Sequence, residues 1–196
     1  MSEAEKRIQE LGKEVMEKTQ ELHKLRLQLP PTKVEDYVFV GPEGEARLSD
    51  LFGDNKDLVL IHNMGSGCPY CTLWADSFNG LLAYYEDRAA FVVISPDEPE
   101  RQAEFAASRG WNFRMLSDRE RRFTKEMGFW GSYGEGAGGD GPWPGFSTFR
   151  KNEDGTIERV ASDFFGPGDT YLGLWHMFAV LDKGVDGWQP AFNLPE

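Results

Sequence analysis

The sequence predicts an α/β fold, a central mixed sheet flanked by helices with an N-terminal helical extension, on three observations. Apolar runs of strand length alternate with helical periodicities from Leu58 to Met127, an order that builds a parallel core with right-handed crossovers. Residues 146–164 then read as an antiparallel hairpin, which makes the sheet mixed. Residues 2–29 form a charged heptad helix cut off by Pro30-Pro31. The chain therefore divides into an amphipathic arm, residues 1–31, and one domain, residues 32–196, interrupted by a glycine-rich loop at 131–141.

In the arm, Ile8, Leu11, Val15, Leu22, Leu25 and Leu29 fall at heptad a and d positions, and Lys18 is a polar d position. So narrow a stripe is a seam, which either packs on its own domain or makes a dimer contact or exchanged arm. Glu35 to Val40 reads as a strand, Gly41 to Gly44 as a turn, and Arg47-Leu48 as a short return with Ser49 capping a brief helix through Phe52. Leu58 to Ile61 is the central strand and Leu73 to Tyr85 an amphipathic helix. Phe91 to Ser95 is a continuous apolar strand of the kind buried on both faces.

Pro96 to Glu100 opens the next helix with acidic residues where the macrodipole favours them, and Gly110 ends it. Asn112 to Leu116 suits a short strand and Asp118 to Met127 another helix. From Gly131 to Gly141 the glycines come too densely for any regular element. Phe146 to Arg150 and Ile157 to Phe164 form the hairpin around Asn152 to Gly155, and Tyr171 to Leu181 is the last helix.

A chain of 196 residues, 40% apolar, can bury one sizeable core. Its net charge of −12 falls on the domain, because the arm is close to neutral. An acidic domain repels nucleic acid and anionic membranes, so both are set aside as partners. No apolar run approaches the roughly 20 residues that span a bilayer, and Met1 to Gln20 is charged throughout; a cytoplasmic protein is expected. Two cysteines make no disulfide framework, and in a reducing compartment a lone C-x-x-C beside a βαβ pattern reads as redox-active.

The chemistry gathers in the stretch from His62 to Asp76. Both cysteines, Cys68 and Cys71, lie there, between the central strand and its helix. Pro69 suits the first helical position, which makes Cys68 the N-cap and puts Tyr70 and Cys71 in the first turn. Unpaired N–H groups and the positive end of the helix dipole stabilise a thiolate there, and the i, i+3 spacing sets both sulfurs on one face. Zinc would need two further ligands from His23, His62, His176 or carboxylates. Inert buried thiols are the other alternative, against which Gly65-Ser66-Gly67 suggest an accessible loop. No cofactor or metal is called for.

Around the pair, His62 either reaches a thiolate or is a satisfied strand-end histidine. Trp74 either roofs the site or belongs to the core. Asp76, on another helix face, suits a solvated or capping role better than proton transfer. Trp130, Tyr133 and Trp143 would be the apolar contacts of a lid if the glycine-rich loop is one.

These segments carry a resemblance. The order of elements is similar to the thioredoxin-like fold, and Ala46 to Phe52, Val93 to Asp97 and Met115 to Asp118 resemble its peroxiredoxin branch. Gly67-Cys68-Pro69-Tyr70-Cys71 followed by Trp74 to Phe78, with Glu35 to Phe39 and the charged arm, resembles the bacterial thioredoxin-like family catalogued as domain of unknown function 899. The resemblance implies that Pro144, five residues before Phe149, takes the place of the cis-proline facing the dithiol. It also implies that Cys71 stands where a peroxiredoxin has its peroxidatic cysteine, Cys68 where it has threonine, and Phe146 where it has arginine. Both departures favour a thiol-disulfide oxidoreductase acting on a protein or small-molecule disulfide and recycled by a separate reductant, with Cys68 attacking and Cys71 resolving. A peroxide reductase with Cys71 peroxidatic and Cys68 resolving is the alternative, and a non-catalytic binding protein on the same fold is the third reading.

Overall fold

Ser2 starts the first helix, α1 (Glu3–Gln28), in a computed structural model that describes residues 1–134 and 139–193. The Ser2 hydroxyl accepts from the Glu5 amide at 3.2 Å while the Glu5 carboxylate accepts from the Ser2 amide, so two otherwise unpaired donors are satisfied. No residue of α1 is buried. Its last turn is tied to the body by Arg26, whose guanidinium meets the Asp163 carboxylate and the Tyr171 hydroxyl.

The strands that follow are β1 (Thr32–Val34), β2 (Val38–Gly41), β3 (Gly44–Arg47) and β4 (Asp57–His62), with a 3-10 turn at Leu48–Phe52 before the last. Next come α2 (Pro69–Gly80), α3 (Leu82–Arg88), β5 (Ala90–Ser95), α4 (Pro99–Arg109), β6 (Arg114–Ser117) and α5 (Arg122–Glu126). The chain continues through β7 (Trp130–Ser132), β8 (Asp140–Pro142), β9 (Gly145–Lys151), β10 (Ile157–Phe164) and α6 (Gly173–Phe178). Eight strands form one sheet in the order β1-β10-β9-β4-β5-β6-β2-β3, in which β4, β5 and β6 run parallel and β9 lies antiparallel to β4.

Alternation along β4 divides the core. Leu58 and Leu60 face one apolar cluster with Phe39, Phe52, Phe123 and Phe149, while Ile61 faces a second cluster with Trp74, Phe78 and Phe91 under α2. Gln102 pins α4 to the sheet from inside, donating to the Ser95 hydroxyl at 2.8 Å and the Leu116 carbonyl at 2.9 Å. Gly145 allows the closest backbone approach: a Cβ there would lie 2.3 Å from the Asp163 carbonyl oxygen and 2.4 Å from the Phe129 ring.

Several elements differ from the sequence expectations. The strand expected at Glu35 begins only at Val38, because Asp36 turns aside to accept from the Ser49 amide and hydroxyl. Ser49 therefore caps nothing, and the Asp50 carboxylate closes the 3-10 turn on the Arg47 amide. The helix expected over 73–85 is two helices, broken at Leu81 with φ −113°. Asp118 shortens the next helix: its carboxylate accepts from the Thr124 amide at 2.7 Å and hydroxyl at 2.6 Å, so regular turns start only at Arg122. The glycine-rich stretch does contain regular structure, since β7 and β8 pair antiparallel from Trp130–Pro142 to Ser132–Asp140. Residues 135–138 of the expected loop lie outside the described residues. The last helix spans only Gly173–Phe178.

Candidate active site

The two thiols lie where β4 hands over to α2. Asn63 continues the β4 alignment by donating its amide to the Ile94 carbonyl at 2.8 Å, then turns the chain by accepting from the Gly65 amide at 2.7 Å. Gly65 adopts φ +104°, and a Cβ there would come within 2.8 Å of the Asp97 carboxylate. That carboxylate accepts from the Ser66 amide at 2.6 Å, and Arg101 donates to the Ser66 hydroxyl at 3.1 Å. Residues from the end of β5 and the start of α4 thus clamp the loop that presents Cys68.

Cys68 is the N-cap of α2 and Pro69 its first residue, as the sequence predicts. The Cys68 Sγ accepts from the Cys71 amide at 3.2 Å and lies 3.9 Å from the Met64 sulfur. Both thiols are free, Cys68 half-buried and Cys71 only 3% exposed. Their acidities separate accordingly. A hydrogen bond from the Cys71 thiol, helped by the Cys71 and Tyr70 amides and opposed by burial, brings Cys68 down to about 7. The same contact, with burial, pushes Cys71 well above its ordinary value. Both shifts favour the thiolate at Cys68 and the thiol at Cys71.

The supporting residues sort out differently. Tyr70 stacks on Trp175 with centroids 6.1 Å apart, which packs the first turn of α2 against α6. Trp74 is core rather than roof: it is 2% exposed and stacks on Phe165 at 5.5 Å. Asp76 has a definite partner set, accepting from the Trp111 indole at 2.8 Å and pairing with Arg109, so it fastens α2 to α4.

His62 is the satisfied strand-end residue in part. Alternation along β4 puts it on the face opposite α2, where Nε2 meets the Ser147 hydroxyl at 2.9 Å and the ring stacks on Phe129 at 3.7 Å. Nδ1 has no partner among the described residues. Burial, with the Arg159 cation adding to it, holds His62 well below its usual 6.5. Unfolding releases an imidazole that takes a proton more readily, so the stability due to its neutral burial is complete above pH 6.5 and is lost as pH falls below it. The expected slope is about 1.4 kcal/mol per pH unit. Denaturant midpoints between pH 5 and 7 should show it, and His62→Gln should flatten it.

Pro144 requires a correction. No cis peptide bond occurs among the described residues. The Pro144 carbonyl accepts from the Phe165 amide at 2.9 Å, a partner set by the junction of β9 and β10. The topology does put Pro144 at the end of the sheet from which the Cys68 loop leaves, because Gly145 pairs with His62. Phe146 offers no cation either; its ring packs edge-on against Tyr171 at 5.0 Å.

Sequence reasoning missed Asn63, Asp97 and Arg101 as site supports. Its one usable signal was the Val93-to-Asp97 segment, read as a family likeness rather than a clamp. Tyr133, expected only as a lid contact, is near enough to the pair for a charge on Cys68 or Cys71 to raise its pKa, after the larger effect of burial. Its hydroxyl donates to the Pro142 carbonyl at 2.6 Å across the β7–β8 hairpin. Clefts of about 520 and 370 Å³, the first lined by Gln102 and Arg114 and the second by Tyr37 and Arg122, include neither cysteine.

Comparison with known proteins follows the same lines. Residues 2–193 match the family described as bacterial protein of unknown function, DUF899. A Mycobacterium tuberculosis protein provisionally named a peroxiredoxin is 38% identical over 121 residues, which are 56% of this chain and 75% of that protein. The crystal structure of the peroxidoxin BcpB from the same organism superposes with a TM-score of 0.54 at 27% identity, covering 68% of this chain and 84% of that one. A Cys-to-Ser mutant of Xylella fastidiosa PrxQ gives 0.61 at 18% identity, covering 74% and 88%. The fold is thioredoxin-like, in its peroxiredoxin variant.

Proposed function

This chain belongs to the bacterial family of unknown function DUF899, and we propose that it is a thiol-dependent oxidoreductase in which Cys68 attacks and Cys71 resolves. The observation that carries the reading is that Cys68, half-buried at the N-cap of α2, holds its sulfur on the Cys71 amide at 3.2 Å while Cys71 is buried behind it. The Cys68 thiolate attacks one sulfur of a substrate disulfide, forms a mixed disulfide and releases the other sulfur as a thiolate. Cys71 then loses its proton to that leaving thiolate or to solvent and attacks Cys68 Sγ. The second substrate sulfur leaves, and the chain is left with a Cys68–Cys71 disulfide. One disulfide is reduced to two thiols and one dithiol is oxidised. A dithiol reductant, protein or small molecule, reverses the last step. No helix among the described residues is long and apolar enough to cross a membrane, and a reducing compartment suits the free thiols.

The peroxiredoxin names of the relatives favour a second reading, in which a hydroperoxide is the oxidant. There Cys71 attacks the peroxide oxygen, an alcohol or water leaves, and Cys68 displaces water from the sulfenic acid. A trap separates the two. With an aromatic disulfide reagent, Cys71→Ser should accumulate a stable mixed disulfide at Cys68, whereas Cys68→Ser should accumulate none. Peroxide consumption that persists in Cys68→Ser and disappears in Cys71→Ser would reverse the assignment. Failure of both thiols to oxidise with either reagent would leave only the binding-protein reading.

A further inference from the structure

The arm remains unexplained by the site. α1 is 26 residues long with no buried residue, and its seam is open: Ile8, Leu11, Val15, Leu22 and Leu25 are 44–68% exposed. The period is that of a helix meeting a helix, not of a helix lying on a sheet. The geometry points to an antiparallel pairing of α1 with α1 of a second copy of this chain.

Two features select that occupant and that direction. First, the seam is complementary to itself when reversed: Ile8 lies opposite the partner's Leu25, Leu11 opposite the partner's Leu22, and Val15 opposite the partner's Lys18. Second, Lys18 discriminates between orientations. A parallel pair sets Lys18 against the partner's Lys18, two like charges in one layer of the seam, which a polar core position is known to penalise. The antiparallel pair instead lays the Lys18 stem on an apolar residue and leaves its ammonium at the edge, where it already holds Glu21 at 2.7 Å.

Among the described residues, the arm's side-chain hydrogen bonds to the domain lie near its C-terminal end, through Arg26, Asp163 and Tyr171. The two domains therefore sit at opposite ends of a rod roughly 40 Å long, and the arrangement closes on itself as a two-fold dimer.

The test uses the full chain with Cys68 and Cys71 both replaced by serine. Sedimentation equilibrium should give a dimer, and Leu11→Asp or Leu22→Asp should each weaken it by about 100-fold or more. Unchanged circular dichroism is expected for both, because both side chains lie on the exposed seam of α1. Chains carrying Leu11→Cys mixed with chains carrying Leu22→Cys should cross-link to each other on mild oxidation, in excess over either self-pair. Excess of the self-pairs would overturn the direction. A monomer at roughly 100 µM, or a dimer indifferent to both aspartates, would overturn the pairing itself.

Discussion

Serine in place of Cys68 is expected to slow alkylation by iodoacetamide at pH 7 by about 100-fold or more. At that pH a thiol held at about 7 is half ionised. The remaining Cys71 is buried, which disfavours its thiolate and keeps the reagent away from it. The wild-type rate should rise with pH through a midpoint near 7, the ionised form being the nucleophile. Removing the main stabilising contact with Cys71→Ala should move that midpoint upward, leaving only the backbone donors to oppose burial. Mass spectrometry of the alkylated peptide would identify the sulfur. Label on Cys71 in the wild type, or a midpoint unmoved by Cys71→Ala, would contradict the split that the proposed mechanism depends on.

Trp74→Ala should be the most destabilising single change near the site, costing about 3–5 kcal/mol. The ring is among the largest fully buried side chains, and it packs against Phe165 and Trp175 at the point where α2 meets the C-terminal segment. Trp74→Phe should cost much less, because the indole nitrogen has no partner among the described residues to lose. Chemical denaturation distinguishes this from a catalytic role. If Trp74 were a roof over the sulfurs, the alanine variant would keep its stability and change its thiol reactivity instead.

The site was legible where its chemistry is local. A proline at the first helical position, a cysteine on either side of the first turn and a glycine loop before them set the N-cap geometry through short-range constraints. The same locality made the parallel strands readable, since β5 is a nearly unbroken apolar run. The misreadings share an opposite cause. Asp36 reads as part of a strand, Asp118 as the start of a helix and Asp76 as a solvated or capping residue, yet each reaches across the fold or across a turn to a partner that the sequence does not mark: Ser49, Thr124, and the pair Arg109 and Trp111. The glycine-rich stretch was read as irregular from composition, and a two-stranded pairing with few residues carries too weak a period to announce itself.

By itself, the sequence determined that a strand delivers two thiols to the start of a helix, and that a heptad arm precedes the domain. Both follow from backbone rules that act within a few residues. Only the tertiary structure decided which thiol is buried, that His62 points away from the pair, and that Pro144 spends its carbonyl on Phe165. Burial, strand alternation against a packed helix and the register of β10 on β9 set these, and all three depend on residues far apart in the chain meeting in space.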